Sequence, residues 1–304
     1  MTFDKIVLVK KPTQLEELLK RHSTTSQVKF YLESLGDSYD FYKESHDSYK
    51  NSLHEIISSI PSKVPFQIID NSQLPTYQFG GKDLVVSVGD PGLFVNLAKY
   101  VGEQPVISVN PDSKRYTSVL ASCETNDFSG LLHDTLNDKF ETESLTMAEA
   151  KTDDGQIMYA LNDFFIGQKT HVSARYMVNY ECVRERQSSS GIIVSTGTGS
   201  TGWLTSIVKG AEKISYGESK ITVPFNRNAN YLIFAVREPF PSKITETNIV
   251  YGVITQESSL KITSNMPENG VIFSDGVESD YINFSAGLSV VIIPSKKKVN
   301  LIKY

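Results

Sequence analysis

The sequence predicts an α/β domain with a mostly parallel sheet, followed by a domain that is almost all β. Two observations carry this reading. Up to about residue 150, short apolar runs alternate with stretches of 3.6-residue periodicity, the signature of strands covered on both faces by helices. From about Gln156 onward the periodicity is two, and turn residues separate the runs.

In the first part, Lys5–Val9 reads as a strand and a helix begins around Thr13. A longer helix over Tyr39–Ile60 sets Tyr42, Tyr49, Leu53, Ile56 and Ile60 on one face. Strands follow at Phe66–Ile69, Leu84–Val88 and Val106–Val109, with an apolar helix Leu93–Tyr100 between the last two. In the second part, Val172, Ala174, Tyr176, Val178 and Tyr180 alternate with other residues, and further strands are expected at Gly191–Ser195, Tyr231–Val236, Ile249–Ile254, Leu260–Ile262, Val271–Phe273 and Val290–Ile293. Trp203–Ile214 alone reads as a helix there. The domains are expected at 1–147 and 148–294, joined through Thr142–Lys151, and the strand-like 295–304 is compatible with joining the first.

Composition narrows the partners. The 304 residues carry a net charge of −5, which argues against a nucleic-acid groove or an anionic membrane surface. No segment reaches the ~18 consecutive apolar residues of a membrane helix. The start shows no basic and apolar leader, and the two cysteines, Cys123 and Cys182, make neither a disulfide framework nor a metal cluster, so a cytoplasmic protein is expected. The five histidines show no metal-ligand spacing, and no metal-binding residue is assigned.

The most informative segment is Ser190 to Trp203, Ser-Gly-Ile-Ile-Val-Ser-Thr-Gly-Thr-Gly-Ser-Thr-Gly-Trp. A strand runs into three glycines and several hydroxyls, and the helix that follows points its N-terminus at the same place. This is the composition of a nucleotide-gripping turn. Gly197, Gly199 and Gly202 fit the spacing of a dinucleotide fingerprint, but the β-rich setting lacks the βαβ unit that fingerprint needs, and no lysine follows for a Walker A loop. A second glycine turn, Gly89-Asp90-Pro91-Gly92, lies between a strand and a helix. There Asp90 and Pro91 are the preferred occupants of the helix N-cap and first helical position, and Asp90 is equally a carboxylate for a ligand. Asn162-Asp163 lies inside the apolar run Met158–Ile166, where a carboxylate needs partners. Asp275-Gly276 follows a strand and reads as a hairpin turn or a ligand site.

Taken in order, these segments resemble the NAD kinases. The family's signature, a strand ending in Ser-Thr followed by a hydroxyl-glycine run and an aromatic, is similar to Val194–Trp203. Its Asn-Glu pair resembles Asn162-Asp163, and its late Asp-Gly resembles Asp275-Gly276. The resemblance covers roughly residues 80 to 295. It implies a two-domain architecture, a Rossmann-like α/β domain and a β-rich domain, and ATP-dependent phosphorylation of the 2′-hydroxyl of the adenosine ribose of NAD to give NADP. ATP or another phosphoryl donor, Mg2+ and a homo-oligomer are implied with it. By the resemblance, Asn162 and Asp163 hold the adenine or ribose, and Thr198, Thr201, Gly202, Trp203 and Ser206 line the dinucleotide pocket. Ser190, Gly199 and Asp275 complete the nucleotide site, and Gly89 and Gly92 admit the donor's phosphates.

The chain departs from the family at the chemistry. The family's Gly-Gly-Asp-Gly-Thr turn aligns on Gly89 to Leu93, which sets Pro91 at the position of the catalytic aspartate and leaves the neighbouring Asp90 as the candidate base. Ser190 stands where many members have aspartate. The resemblance is therefore to a divergent branch, some of whose members carry a sugar-kinase label. Two alternatives stay open: a catalytically impaired NAD(P)-binding or regulatory protein, and a kinase for a sugar-like acceptor.

Overall fold

The computed structural model describes residues 3–115, 119–217 and 222–304. The chain divides into two compact units, Met1–Glu143 with Val299–Tyr304, and Ser144–Lys298.

The first unit contains β1 (Lys5–Lys10), α1 (Gln14–His22), α2 (Thr25–Ser34), α3 (Tyr39–Ser58), β2 (Phe66–Asp70), β3 (Asp83–Val88), α4 (Pro91–Ala98), β4 (Pro105–Asn110), β5 (Cys123–Glu124) and α5 (Thr125–Leu136). Its strands run in the order β2-β1-β3-β4, all parallel. Both faces of β1, β3 and β4 are buried, which is why these strands read as continuous apolar runs. Ile6, Leu8, Leu84, Val86 and Ile107 pack against Tyr49, Leu53 and Ile56 of α3 and Phe128 and Leu132 of α5. The sequence reading has no counterpart for α5. The single helix expected from Thr13 divides at Ser23 and Thr24, where Ser23 takes a left-handed conformation and Thr24 caps the next helix.

The second unit contains β7 (Ile157–Ala160), β8 (Asp163–Gln168), β9 (Ala174–Tyr180), β10 (Val183–Ser189), β11 (Ile192–Ser195), α6 (Trp203–Ser215), β12 (Leu232–Val236), β13 (Tyr251–Ile254), β14 (Leu260–Ser264), β15 (Gly270–Ser274) and β16 (Tyr281–Asn283). Two long strands complete it: β6 (Glu141–Thr152), which enters it, and β17 (Ser289–Lys303), which leaves it. One sheet is antiparallel in the order β13-β12-β11-β8-β15-β16. Phe164, Ile166, Val194, Phe234 and Ile272 from that sheet pack against Tyr176, Val178, Ile262 and Val290 in one core. The opposite face, with Phe165, Ile193, Val271 and Phe273, is covered by Trp203 and Ile207 of α6.

Two segments take forms that the periodicity alone does not specify. The join at Thr142–Lys151 lies within the twelve-residue strand β6, whose Leu145, Met147, Ala148 and Ala150 are all buried. The chain at Val183–Ser189, charged and without apolar alternation, is nonetheless strand β10. Its inward positions are filled by Glu185 and Gln187, whose side chains are satisfied by main chain: Glu185 accepts from Ile249 N at 2.9 Å, and Gln187 Nε2 donates to Ile249 O at 2.9 Å. The run at Val299 to Tyr304 belongs to the first unit, where Asn300 and Leu301 pair in parallel with Pro105 and Val106 of β4.

Candidate functional site

In the first unit, a cavity of about 200 Å3 opens at the carboxyl ends of β1, β3 and β4. Lys11, Thr13, His46, Tyr49, Gly89, Asp90, Asn110 and Asp112 line it. The strand order reverses between β1 and β3, and that is the place where parallel α/β sheets leave room for ligands. Thr13 caps α1 by accepting from Glu16 N, and its hydroxyl also meets His46 Nδ1 at 2.8 Å. Tyr49 donates to Val88 O at 3.1 Å, and burial pushes its phenol well above the usual range.

Asp90 has two partners here. Its Oδ1 accepts from Leu93 N at 3.0 Å, which caps α4, and its Oδ2 is ion-paired with Lys11. Pro91 sits at the start of α4, as its fixed φ favours. Gly89 is buried in the cavity wall, whereas Gly92 is exposed on the first turn of α4. Asp112 accepts from Arg115 Nη1 at 2.7 Å.

In the second unit, the glycines of the Ser195–Trp203 turn are required by main chain packed on main chain. A Cβ on Gly199 would lie 2.1 Å from Asn162 O, and one on Gly197 would lie 2.0 Å from Asn226 O. Neither distance is possible between real atoms, so the turn is pressed directly against the Asn162 backbone. The surrounding hydrogen bonds fix the same contact: Thr196 N donates to Asn162 O at 2.9 Å, Thr196 Oγ1 to Leu161 O at 2.5 Å, and Gly199 N to Thr196 Oγ1 at 3.2 Å. Ser200 Oγ donates to Gly197 O and accepts from Phe225 N. One hydroxyl in the turn is left over. Thr198 is only 7% exposed, and its Oγ1 has no hydrogen-bond partner among the described residues.

The apolar run Met158–Ile166 that holds Asn162 and Asp163 is not one strand. The chain bends at Leu161 and Asn162, between β7 and β8, and Asp163 opens β8. What holds the bend is Asp275. With φ 57° in the turn after β15, it turns its carboxylate onto three main-chain donors: Asn162 N at 2.7 Å, Leu161 N at 3.2 Å and Asp163 N at 3.3 Å. Asp275 thus sits in a turn, and its carboxylate is bound to the protein's own backbone. Asp163 is in the opposite condition. It is 9% exposed, and none of the hydrogen bonds of the described residues involves its side chain. Burial, with Asp275 beside it, pushes its carboxyl up to about 7.

On the α6 face of the same sheet, Phe165 stacks on Trp203 with their planes 3° apart, and on Phe273. The Arg237 guanidinium lies over the Trp203 ring, 5.3 Å from its centre. These residues border a cavity of about 310 Å3 that Ser190, Gln168, Lys169 and His171 also line.

The structure thus gathers Asn162, Asp163, Thr198, Gly199 and Asp275 at one bend, and Ser190 and Trp203 at the adjoining aromatic cavity. Thr201, Gly202 and Ser206 are exposed at the start of α6, where Ser206 Oγ donates to Gly202 O at 3.3 Å. The sequence reading passes over Lys11 and His46 in the first unit and over Phe165 and Arg237 in the second. Lys11 carries a usable signal, a cation directly after a buried strand. Arg237 carries none, because β12 brings it to the cavity only through its antiparallel pairing with β11. Among the described residues no group of three or more His, Cys, Asp and Glu side chains is placed to hold a metal ion, and no helix is long and apolar enough to cross a membrane.

No protein-family model matches the chain. It is similar to the NAD kinase of Cytophaga hutchinsonii, with 23% identity over 141 residues, a match covering 42% of this chain and 45% of that protein. The match therefore spans just under half the length of this curated relative. Among solved structures, an NAD kinase from Archaeoglobus fulgidus in complex with ATP superposes with a TM-score of 0.57 at 16% identity, over 98% of this chain and 93% of that chain. Yeast NADH kinase complexed with NADH gives a TM-score of 0.59 at 12% identity, over 99% of this chain and 83% of that chain. At such identities the structural likeness speaks for the fold. In fold, an α/β unit and a β-rich unit, the chain is NAD kinase-like.

Proposed function

We propose that the chain is an NAD kinase-like phosphotransferase that moves the terminal phosphoryl group of ATP to the 2′-hydroxyl of the adenosine ribose of NAD, giving NADP. The observation that carries this is the bend at Asn162 and Asp163, pressed against Gly199 and clamped by Asp275. The protein has fixed this main chain from three sides while leaving Thr198 Oγ1 and the Asp163 carboxyl without hydrogen bonds to the described residues. Buried polar groups of that kind are costly unless a ligand completes them. Thr198, Asn162 and Asp163 are the groups we assign to the dinucleotide's polar edge. Trp203 and Ser190 are assigned to its ring. The cavity bordered by Lys11, Gly89 and Asp90 is assigned to the donor's phosphates, where Lys11 supplies positive charge and Asp90 positions it. Mg2+ enters with the donor as MgATP, since the described side chains assemble no cage of their own.

One observation favours a second reading, an NAD(P)-binding protein with little or no turnover. Pro91 stands where the family resemblance sets the catalytic aspartate, and the Asp90 carboxylate next to it is already engaged by Leu93 N and Lys11. The two readings part in one experiment. NADPH formation from NAD and ATP is followed in a coupled assay on the wild type, beside thermal shifts with NAD, NADP and ATP. Turnover supports the kinase. Stabilisation by NAD or NADP with no turnover supports the binding protein, and the same assay with sugar acceptors tests the sugar-like alternative.

A further inference from the structure

We infer that Asp163, and not the turn at Asp90-Pro91, is the group that exchanges a proton with the hydroxyl of the bound ligand and accepts it in the transfer. The inference rests on the phosphotransferase reading above and names the residue that performs its proton step.

The geometry separates two carboxyl groups that sequence alone cannot tell apart. Asp275 N donates to Asp163 O at 2.9 Å, so the two residues are neighbours across β15 and β8. The Asp275 carboxylate accepts from three main-chain N–H groups, Asn162 N, Leu161 N and Asp163 N. The Asp163 carboxyl, beside it and buried, makes none of the hydrogen bonds described. Two carboxylates this close do not both ionise freely, so the proton resides on the one without donors. The groups that face Asp163 are few. Across β11 it meets Ser195 and across β15 it meets Asp275, while α6 presents Trp203 and Ile207 to that face, so among the described residues Asp275 is the one titrating neighbour. A carboxyl whose protonation changes near neutral pH is suited to take a proton from a hydroxyl and release it again.

Position points the same way. Asp163 and Phe165 lie on one face of β8, about 7 Å apart along the strand at ~3.4 Å per residue. Phe165 is part of the aromatic wall with Trp203 and Phe273. A ring lying against that wall sets its attached ribose at Asp163. In the step itself, the ribose oxygen forms its bond to the γ-phosphorus as the bond from that phosphorus to the bridging oxygen breaks. The electron pair of the broken bond leaves on ADP, and the hydroxyl proton passes to Asp163 and then to water.

The test uses the full-length chain, with Asp163→Asn and Asp163→Glu compared with wild type in two measurements. In the coupled assay, Asp163→Asn is expected to lower kcat at least 100-fold with KM for NAD changed less than threefold. Wild-type kcat falls on the acid side of pH 7, Asp163→Glu retains such a limb at a shifted pH, and the residual Asp163→Asn rate is flat. Titration calorimetry of NAD in two buffers of different ionisation enthalpy is expected to show a fraction of a proton released on binding near pH 7 by wild type and none by Asp163→Asn. A kcat within threefold of wild type in Asp163→Asn, or an unchanged proton release, overturns the inference. A wild type that forms no NADPH, yet shows proton release on NAD binding that Asp163→Asn abolishes, overturns the kinase reading and leaves Asp163 as the proton-exchanging group. A wild type that binds NAD with no proton release overturns the inference whatever its turnover.

Discussion

The two glycine turns have similar sequences and opposite physical conditions. At Gly89-Asp90-Pro91-Gly92 the carboxylate is engaged twice: it caps its own helix and pairs with Lys11, and Pro91 begins the helix. At Ser195–Trp203 the glycines are filled by another segment's backbone, and Thr198 Oγ1 is left over, beside an Asp163 carboxyl that likewise makes none of the described hydrogen bonds. In the first turn the carboxylate has its partners in the protein. The second leaves a buried hydroxyl with no partner among the described residues. A glycine-rich motif is thus informative through what its neighbouring polar atoms still lack, more than through its glycines.

Substituting the glycines is the strongest way to break this contrast. Gly199→Ala forces a Cβ onto Asn162 O and is expected to cost ~3 kcal/mol or more, with Tm lowered by roughly 10 °C. In the other turn, a Cβ on Gly92 meets only Asp90 Oδ1 at 3.4 Å, so Gly92→Ala, on a helical turn, is expected to be neutral or stabilising by ~0.5 kcal/mol. Urea melts of the two variants compare them directly, and equal losses would remove the distinction.

The next effect is pH-dependent. The folded-state pKa of Asp163 is raised to about 7, so the protonated form is the one that the fold favours. The stability that Asp163 contributes is then fully present below the unfolded-state pKa and is lost as pH rises through the folded one, at ~1.4 kcal/mol for each unit between them. Asp163→Asn is expected to raise Tm over wild type clearly at pH 8 and by little at pH 4. A gain that does not depend on pH would separate the stability of the bend from the Asp163 proton. The smallest effect belongs to the first turn. Asp90→Ala is expected to cost ~1 kcal/mol as a lost cap, whereas Asp90→Asn, which keeps a capping oxygen, costs a few tenths. Denaturant midpoints of the pair check whether capping accounts for what Asp90 contributes to stability.

Much of this architecture is legible in the sequence because its central strands are buried on both faces. The runs at Lys5–Val9, Leu84–Val88 and Val106–Val109 correspond to β1, β3 and β4 almost residue for residue. Asp90 with Pro91 declares the start of α4 through two side chains alone. What stays hidden depends on partners far along the chain. Glu185 and Gln187 look like surface residues until Ile249 supplies their hydrogen bonds. In the same way, Asp163 and Asp275 look alike as letters and differ only because the fold gives every nearby N–H to one of them. The order of the candidate site was therefore readable, and the division of labour within it was not.

The return of the last strand has a consequence for how the protein is made. Asn300 Nδ2 donates to Glu103 O, 197 positions away, and the 299–304 segment supplies the parallel neighbour of β4. As the chain emerges from the ribosome at ~5–20 residues per second, that side of β4 waits roughly ten seconds or longer for its partner. During that interval the whole of the second unit is synthesised while the first has an open strand edge, the kind of edge that recruits other chains. The Pro105–Val106 part of the β4 edge is thus the last piece of the first unit's sheet to find its partner.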